Sequence, residues 1–240
     1  MKKILSILLL GALVIMNYGC KDDDPEPVKP TKPPVILSTS SVTLKVGETK
    51  NITIQNYDTT VFVDNTNIAS VDKMGDIDYK ITARKVGKTF INLGSKKLNI
   101  NVNKYYFYFR DPIFTWGEGK NPIKSYELRS LISDEPNALV YRELNSDELN
   151  YLIYNFYDYK LYSISLYILS AKTSELGNYL NDYFVQIAST SPEYDMYQSP
   201  IPSDDPMFFN VRVNKTPQVY NDKEYWLVEL TNPNYAPTTK

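Results

Sequence analysis

The chain has no histidine and one cysteine, Cys20. Without an imidazole base, Ser-His-Asp and Cys-His catalysis are excluded. Zinc and copper sites built on imidazole or thiolate are excluded with them. A single cysteine forms no internal disulfide, so packing alone has to hold the fold. Neither sign of charge dominates: 26 Lys and Arg stand against 28 Asp and Glu, a net charge of -2. That balance argues against a nucleic-acid partner, which selects basic surfaces. After the first apolar run no other long one appears, so no transmembrane helix is expected. Carboxylate chemistry, a Ser-Lys pair or no catalysis survives, and no cofactor is expected.

Lys2 and Lys3 open the chain, and Ile4–Met16 follows as an unbroken apolar run. The run is too short to cross a bilayer and has the shape of a secretory signal. Small Gly19 precedes Cys20, then come "KDDD" (Lys21, Asp22, Asp23, Asp24) and the proline-rich "PEPVKPTKPP". Polyproline II chain rises about 3.1 Å per residue, so residues 21–34 would span roughly 40 Å. These residues are also compatible with an ordinary signal peptide, a stray cysteine and a solvated acidic linker. The small residue plus cysteine resembles the signal of bacterial lipoproteins, although Asn17 and Tyr18 stand where Leu and Ala or Ser are usual. The resemblance implies that Cys20 becomes the first mature residue and carries acyl chains. Each buried CH₂ then adds about 0.8 kcal/mol of membrane affinity. "KDDD" directly after that cysteine resembles the export signal of Bacteroidota lipoproteins. It implies an outer-membrane lipoprotein exposed on the cell surface, with the periplasmic face as the alternative.

Residues 1–19 are thus read as signal peptide, 20–34 as lipidated cysteine, export signal and linker, 35–103 as a first domain and 104–240 as a second. Residues 35–103 alternate with period two. Val42, Leu44 and Val46 share a face with Thr43 and Lys45 opposite; Ile52 and Ile54, Val61 and Val63, and Tyr79, Ile81 and Ala83 repeat the pattern. Gly, Asn and Asp break the runs, which is the mark of a β-sandwich. Asp72, Asp76 and Asp78 lack the spacing of a calcium loop and read as turn residues, so no metal is expected. "LSTSSVTLKVGET", "DNTNIASVDKMGD" and "ARKVGKTFINL" resemble, in order, the opening, the centre and a later strand of the group 2 bacterial immunoglobulin-like domain. Val61 and Phe62 lie where that family has a tryptophan, and "IDYKI" lengthens a hairpin. The resemblance implies an all-β sandwich used as spacer or adhesion module, without catalytic residues.

Residues 104–240 hold most of the tyrosines and both tryptophans. "KNPIKSYELRSLI" predicts a helix with Asn121 as N-cap and Pro122 at its first position. "ALVYREL" predicts a strand. "LNYLIYNFYDYKLYSISLYIL" predicts a hairpin turning near Asp158, with Tyr162, Ile164, Leu166 and Ile168 on one face. In "SELGNYLNDYFVQI" the residues Leu176, Tyr179, Leu180, Tyr183, Phe184 and Ile187 fall at helical spacing. "MFFNVRV" and "EYWLVEL" predict closing strands, with Trp226, Val228 and Leu230 inward. An α+β domain follows, an antiparallel sheet with two helices on one face, built from a repeated helix-plus-strands unit. "FRDPIFTWGEGKNPIKSYE" also resembles the start of a module that follows the group 2 domain in small Bacteroidota lipoproteins: an aromatic strand, an acidic-Pro pair, an aromatic-Gly pair, then a helix.

Three sets of residues can carry function. Ser191–Pro206 predicts a long loop with Tyr194, Met196 and Tyr197, whose side chains stack on sugar faces or anchor a protein; such a loop also serves as a plain connector. Trp116 offers a flat face to a carbohydrate, or a core contact. Asp134, Glu135, Glu143 and Glu148 supply carboxylates, and a glycosidase needs two straddling a bond. The expected function is a non-catalytic binding or adhesion lipoprotein, held to the membrane by lipid on Cys20, for a glycan or a surface protein. A structural or accessory subunit of an outer-membrane uptake complex is the alternative, and a carboxylate glycosidase the third reading.

Overall fold

The computed structural model describes residues 32–105, 108–143, 149–220 and 222–238. The signal segment, Cys20, the acidic residues Asp22, Asp23 and Asp24 with Lys21, and Glu148 lie outside them. The protein is β-rich, its strands mostly antiparallel, and Val35–Lys240 forms one compact unit.

Two apolar clusters sit in that unit. The first is enclosed by two sheets. One has the order β1-β3-β5-β4, made of β1 (Ile36–Leu37), β3 (Thr49–Gln55), β4 (Ala69–Lys73) and β5 (Asp78–Ala83). The other has the order β2-β7-β6, made of β2 (Ser41–Lys45), β6 (Gly87–Leu93) and β7 (Lys96–Asn103). Alternation puts Val42, Leu44, Ile52, Ile54, Tyr79, Ile81, Ile91 and Ile100 into the shared cluster. Two features depart from expectation. β2 runs parallel to β7, whereas every other ladder here is antiparallel. "TVFVD" forms no ladder strand; Val63 makes one bridge to Ile91 and is buried, while Phe62 faces solvent.

The second cluster lies between one large sheet and two helices. The strands are β8 (Ser130–Glu135), β9 (Ala138–Arg142), β10 (Leu149–Tyr157), β11 (Lys160–Leu169), β12 (Val185–Ile187), β13 (Tyr194–Gln198), β14 (Asn210–Asn214), β15 (Gln218–Tyr220) and β16 (Lys223–Thr231). The helices are α1 (Lys120–Tyr126) and α2 (Thr173–Tyr183). The sheet order is β12-β13-β14-β16-β11-β10-β9-β8, with β15 beside β16. Each helix thus precedes a meander of strands, and the last strands of the two meanders, β11 and β16, pair at the centre. Partners across this ladder share a face. Leu152, Leu166, Val228 and Val213 form one row, and Tyr154, Ile164, Leu230 and Val211 the next. Ile123 of α1 and Leu176, Tyr179, Leu180 and Tyr183 of α2 pack into the same cluster. Both helices therefore cover one face of the sheet.

Several predicted boundaries shift. α1 begins at Lys120 with Gly119 as N-cap, so Asn121 lies inside it and Pro122 sits in the first turn, where a missing N–H costs little. The helix stops at Tyr126, and "SLI" belongs to β8. A buried ion pair explains the stop. Glu127 turns extended, and Arg129 Nη1 donates to both of its carboxylate oxygens at 2.9 and 2.8 Å. Their side chains are 1% and 0% exposed. The Tyr154 hydroxyl donates to Glu127 at 2.6 Å and accepts the Ile113 N–H at 2.9 Å. α2 ends at Tyr183; Phe184 is extended but still buried, and Ile187 lies on β12. The β10–β11 hairpin turns at Asp158 and Tyr159, both at positive φ of 48° and 62°, as a two-residue turn requires. A bulge follows it: Asn155 faces Ser163 and Phe156 faces Leu161. Leu161 joins the core, and Tyr162 leaves the predicted row. The described part of 104–119 contains no strand. It crosses the cluster as a loop that buries Tyr108, Phe109 and Trp116. Gly117 there has φ +78°, and a Cβ would lie 2.6 Å from the Tyr235 ring.

The two cores are tied by hydrogen bonds at the end of α2, where helix carbonyls lack internal partners. Val86 N–H donates to the Asp182 carbonyl at 2.8 Å, and the Lys85 ammonium donates to that of Asn181. Tyr105 N–H donates to the Asp182 carboxylate at 3.1 Å, and away from the helix, after β13, the Pro200 carbonyl accepts from the Asn65 amide at 2.7 Å. Burial lowers the pKa of Lys85, and Asp182 opposes that shift.

Candidate functional site

Among the described residues both helices lie on one face of the large sheet and leave the other face without a helix. Period-two alternation dictates what it presents: the residues between those of the core rows. Tyr151 faces Tyr167 across β10 and β11, and Arg142 faces Tyr151 across β9 and β10. Val140, Ile153 and Ser165 form the neighbouring row. A bulge between Leu149 and Tyr151 sends Leu149 into the core and Tyr151 outward.

β14 and β15 lie along the same side of β16, β14 beside Val228–Thr231 and β15 beside Lys223–Tyr225. β15 brings Tyr220 to the pair. The Tyr220 ring stands edge-on to Tyr151, centroids 5.7 Å apart, and tilted to Tyr167 at 6.3 Å. Tyr151 and Tyr167 meet edge-to-face at 6.5 Å. Tyr225 is buried beside both, and its hydroxyl accepts from the Asn150 amide at 2.7 Å. A groove of about 440 Å³ results, lined by Ile132, Ser133, Val140, Arg142, Tyr151, Ile153, Tyr167 and Tyr220. Its size suits a small organic ligand.

Arg142 stands 5.9 Å from the Tyr151 ring centroid. Burial, then Glu229 and Tyr220, raise the pKa of Tyr167, so its hydroxyl stays neutral and able to donate. Glu229 is itself held by Arg212, whose Nε donates at 2.8 Å. Aromatic rings, hydroxyls and one guanidinium make a surface for recognition. Among the described residues no cluster of Asp, Glu, His or Cys could hold a metal ion.

The predicted contact residues scatter. Trp116 is 5% exposed and packs on Phe114 and Phe209 at 6.2 and 5.4 Å, so it is a core residue. Ser191–Pro206 is not one loop, because Tyr194–Gln198 forms β13 between β12 and β14. Alternation splits its aromatic residues. Tyr194 and Met196 share the open face with Arg212, whose guanidinium stands 5.1 Å from the Tyr194 centroid. Tyr197 pairs with Val211 and packs against the helix-covered cluster. Of the carboxylates, Asp134 is held by Lys120 at 2.8 Å and by Lys124. Hydrogen bonds from these two ammoniums lower its pKa. Glu135 accepts from Ser133 at 2.6 Å, and Glu143 lies 3.4 Å from the buried Arg129.

Sequence reading missed Arg142, Tyr151, Tyr167 and Tyr220. The signal was present. A sheet with helices on one face has a solvent face, where polar residues are the norm. Tyr151 and Tyr167 occupy that face on one hairpin, as large aromatics. Comparison of the chain with protein-family models, curated proteins and solved structures finds no match in any of the three, so geometry and sequence carry the functional reading.

Proposed function

We propose that the protein is a lipid-anchored, non-catalytic binding protein whose contact surface is the open face of the large sheet, and that it takes a glycan there. The observation that carries this reading is the groove walled by Tyr151, Tyr167 and Tyr220 on a sheet face that neither described helix covers. Sugar rings present flat C–H faces, and aromatic side chains offer matching apolar area with a polar tip. A largely formed concave site with a few polar groups is the usual form of a small-ligand site.

The rest of the proposal comes from the sequence. Acyl chains on Cys20 anchor the protein in the outer membrane. Lys21, Asp22, Asp23 and Asp24 direct it to the cell surface, and the proline-rich segment lifts it off the lipid. In this reading the chain is multidomain: residues 35–103, which resemble a group 2 immunoglobulin-like domain, are the spacer, and 104–240 form the α+β domain that meets the ligand. Binding of the full chain to a glycan array, compared with Tyr220→Ala, tests the contact surface. Lost binding by a variant that still folds supports it, and equal binding contradicts it. Protease shaving of intact cells tests the address. Wild type should be cleaved and the Asp22→Ala/Asp23→Ala/Asp24→Ala variant protected; protection of both would put the protein on the periplasmic face.

A further inference from the structure

The groove has a charge as well as a shape. Among its described lining residues Arg142 is the one cation and no carboxylate is present. Arg142 is exposed, and no described carboxylate lies within ion-pair distance of it. Of the anions of the same face, Glu229 is paired with Arg212, and Glu135 accepts from Ser133 on the β8 wall. Among the described residues, then, the groove carries at its β9 wall a guanidinium that no carboxylate pairs. A guanidinium is a planar fork that matches a carboxylate or sulfate with two parallel hydrogen bonds. Its partial stacking on Tyr151 limits the orientations it samples, so less freedom is lost on binding.

We infer that the groove takes an acidic saccharide: a sugar ring against Tyr151 and Tyr220, with its carboxylate or sulfate on Arg142. This rests on the glycan-binding reading above and narrows it. The Tyr167 hydroxyl, kept neutral by its surroundings, can donate to a sugar hydroxyl, and Ser133, whose proton goes to Glu135 at 2.6 Å, can only accept from one. The volume of about 440 Å³ suits a short stretch of a saccharide chain.

The test is an array of galacturonate, glucuronate, sialate and sulfated galactose oligosaccharides, each beside its neutral form, methyl-esterified or desulfated. The full chain is applied in mild detergent as wild type, Arg142→Gln, Arg142→Lys and Tyr220→Ala. The expected result is binding to acidic forms over their neutral partners, with carboxylate and sulfate arms showing which anion is preferred. Arg142→Gln should weaken that binding about tenfold and remove the preference for the acid, since a charge-assisted fork is lost. Arg142→Lys should restore part of it and leave it more sensitive to salt, as a point charge without the fork would. If neutral and acidic forms bind alike, and Arg142→Gln matches wild type while Tyr220→Ala loses binding, the inference fails and the glycan reading stands. If no saccharide binds, or if Tyr220→Ala binds as wild type does, both fail.

Discussion

Tyr151 and Tyr154 lie on one strand, three residues apart, and differ in almost every physical respect. Tyr154 points under the helices. Its ring meets Tyr141 edge-on at 5.8 Å, and its hydroxyl joins the Glu127–Arg129 pair. Burial, and then the Glu127 charge, drive its pKa far above the ordinary tyrosine value. Tyr151 points to the open face, where its ring stands against other tyrosines and Arg142. The lesson is that tyrosine content alone says little. On the covered face the ring contributes to the core, and the Tyr154 hydroxyl is tied to a buried partner. On the open face the same side chain is left available to something outside the molecule.

The comparison is broken most strongly from the covered side. Arg129→Ala leaves the Glu127 carboxylate buried without its cation, and the expected loss is about 3–5 kcal/mol. Denaturant unfolding measures it; a loss under about 1 kcal/mol would mean that the pair is not buried as described. Tyr154→Phe keeps the ring and removes one donor to Glu127 and the acceptor of Ile113 N–H. It should cost about 1–3 kcal/mol in the same assay.

Alkaline pH sharpens the contrast with a smaller effect. Burial is the largest cause of the raised pKa of both Tyr154 and Tyr179. A raised native pKa means that the unfolded chain releases the proton first. The stability these groups hold is therefore complete below about pH 10, the unfolded value, and is lost as pH rises above it toward their native values. At about pH 10 the loss is only ~0.4 kcal/mol for each group and grows with further alkalinity. Absorbance titration of phenolate should show these tyrosines ionising together with unfolding. Their ionisation in a still-folded chain would contradict the burial.

The smallest effect on stability belongs to the open face. Tyr220 is 52% exposed, and Tyr220→Ala should change stability by no more than about 0.5 kcal/mol. The same substitution is expected to remove binding, so melting and binding separate on this face and move together on the other.

The sequence made one kind of structure readable and left another hidden. Local periodicity exposed the strands around Ile52 and Ile81, the β10–β11 hairpin and the stripe Leu176–Tyr179–Leu180–Tyr183, because burial on one side imposes a period. Helix ends were not readable. Nothing local to "YELRS" announces that Glu127 and Arg129 pair in the interior and pull the chain straight. "EYDMYQ" looked like loop because proline and aspartate surround it, yet a vacant edge beside β14 makes it a strand. That change sends Tyr194 and Tyr197 to opposite faces and dissolves the site expected there. Trp116 followed the commoner fate of tryptophan and was buried. The groove required the register of β9, β10, β11 and β15 together. No single stretch shows that Arg142, Tyr151, Tyr167 and Tyr220 meet. The outward alternation of Tyr167, between the inward Leu166 and Ile168, was the one part of it legible in advance.

Nitration of tyrosines in the folded full chain, located by mass spectrometry with and without the best array ligand, tests the open-face site most directly. Tyr151 and Tyr220 should react in the free protein and be protected by the ligand, while Tyr154 and Tyr179 stay unreactive in both states. Tyr220 reacting equally with ligand bound, or Tyr154 reacting as fast as Tyr220, would contradict the account.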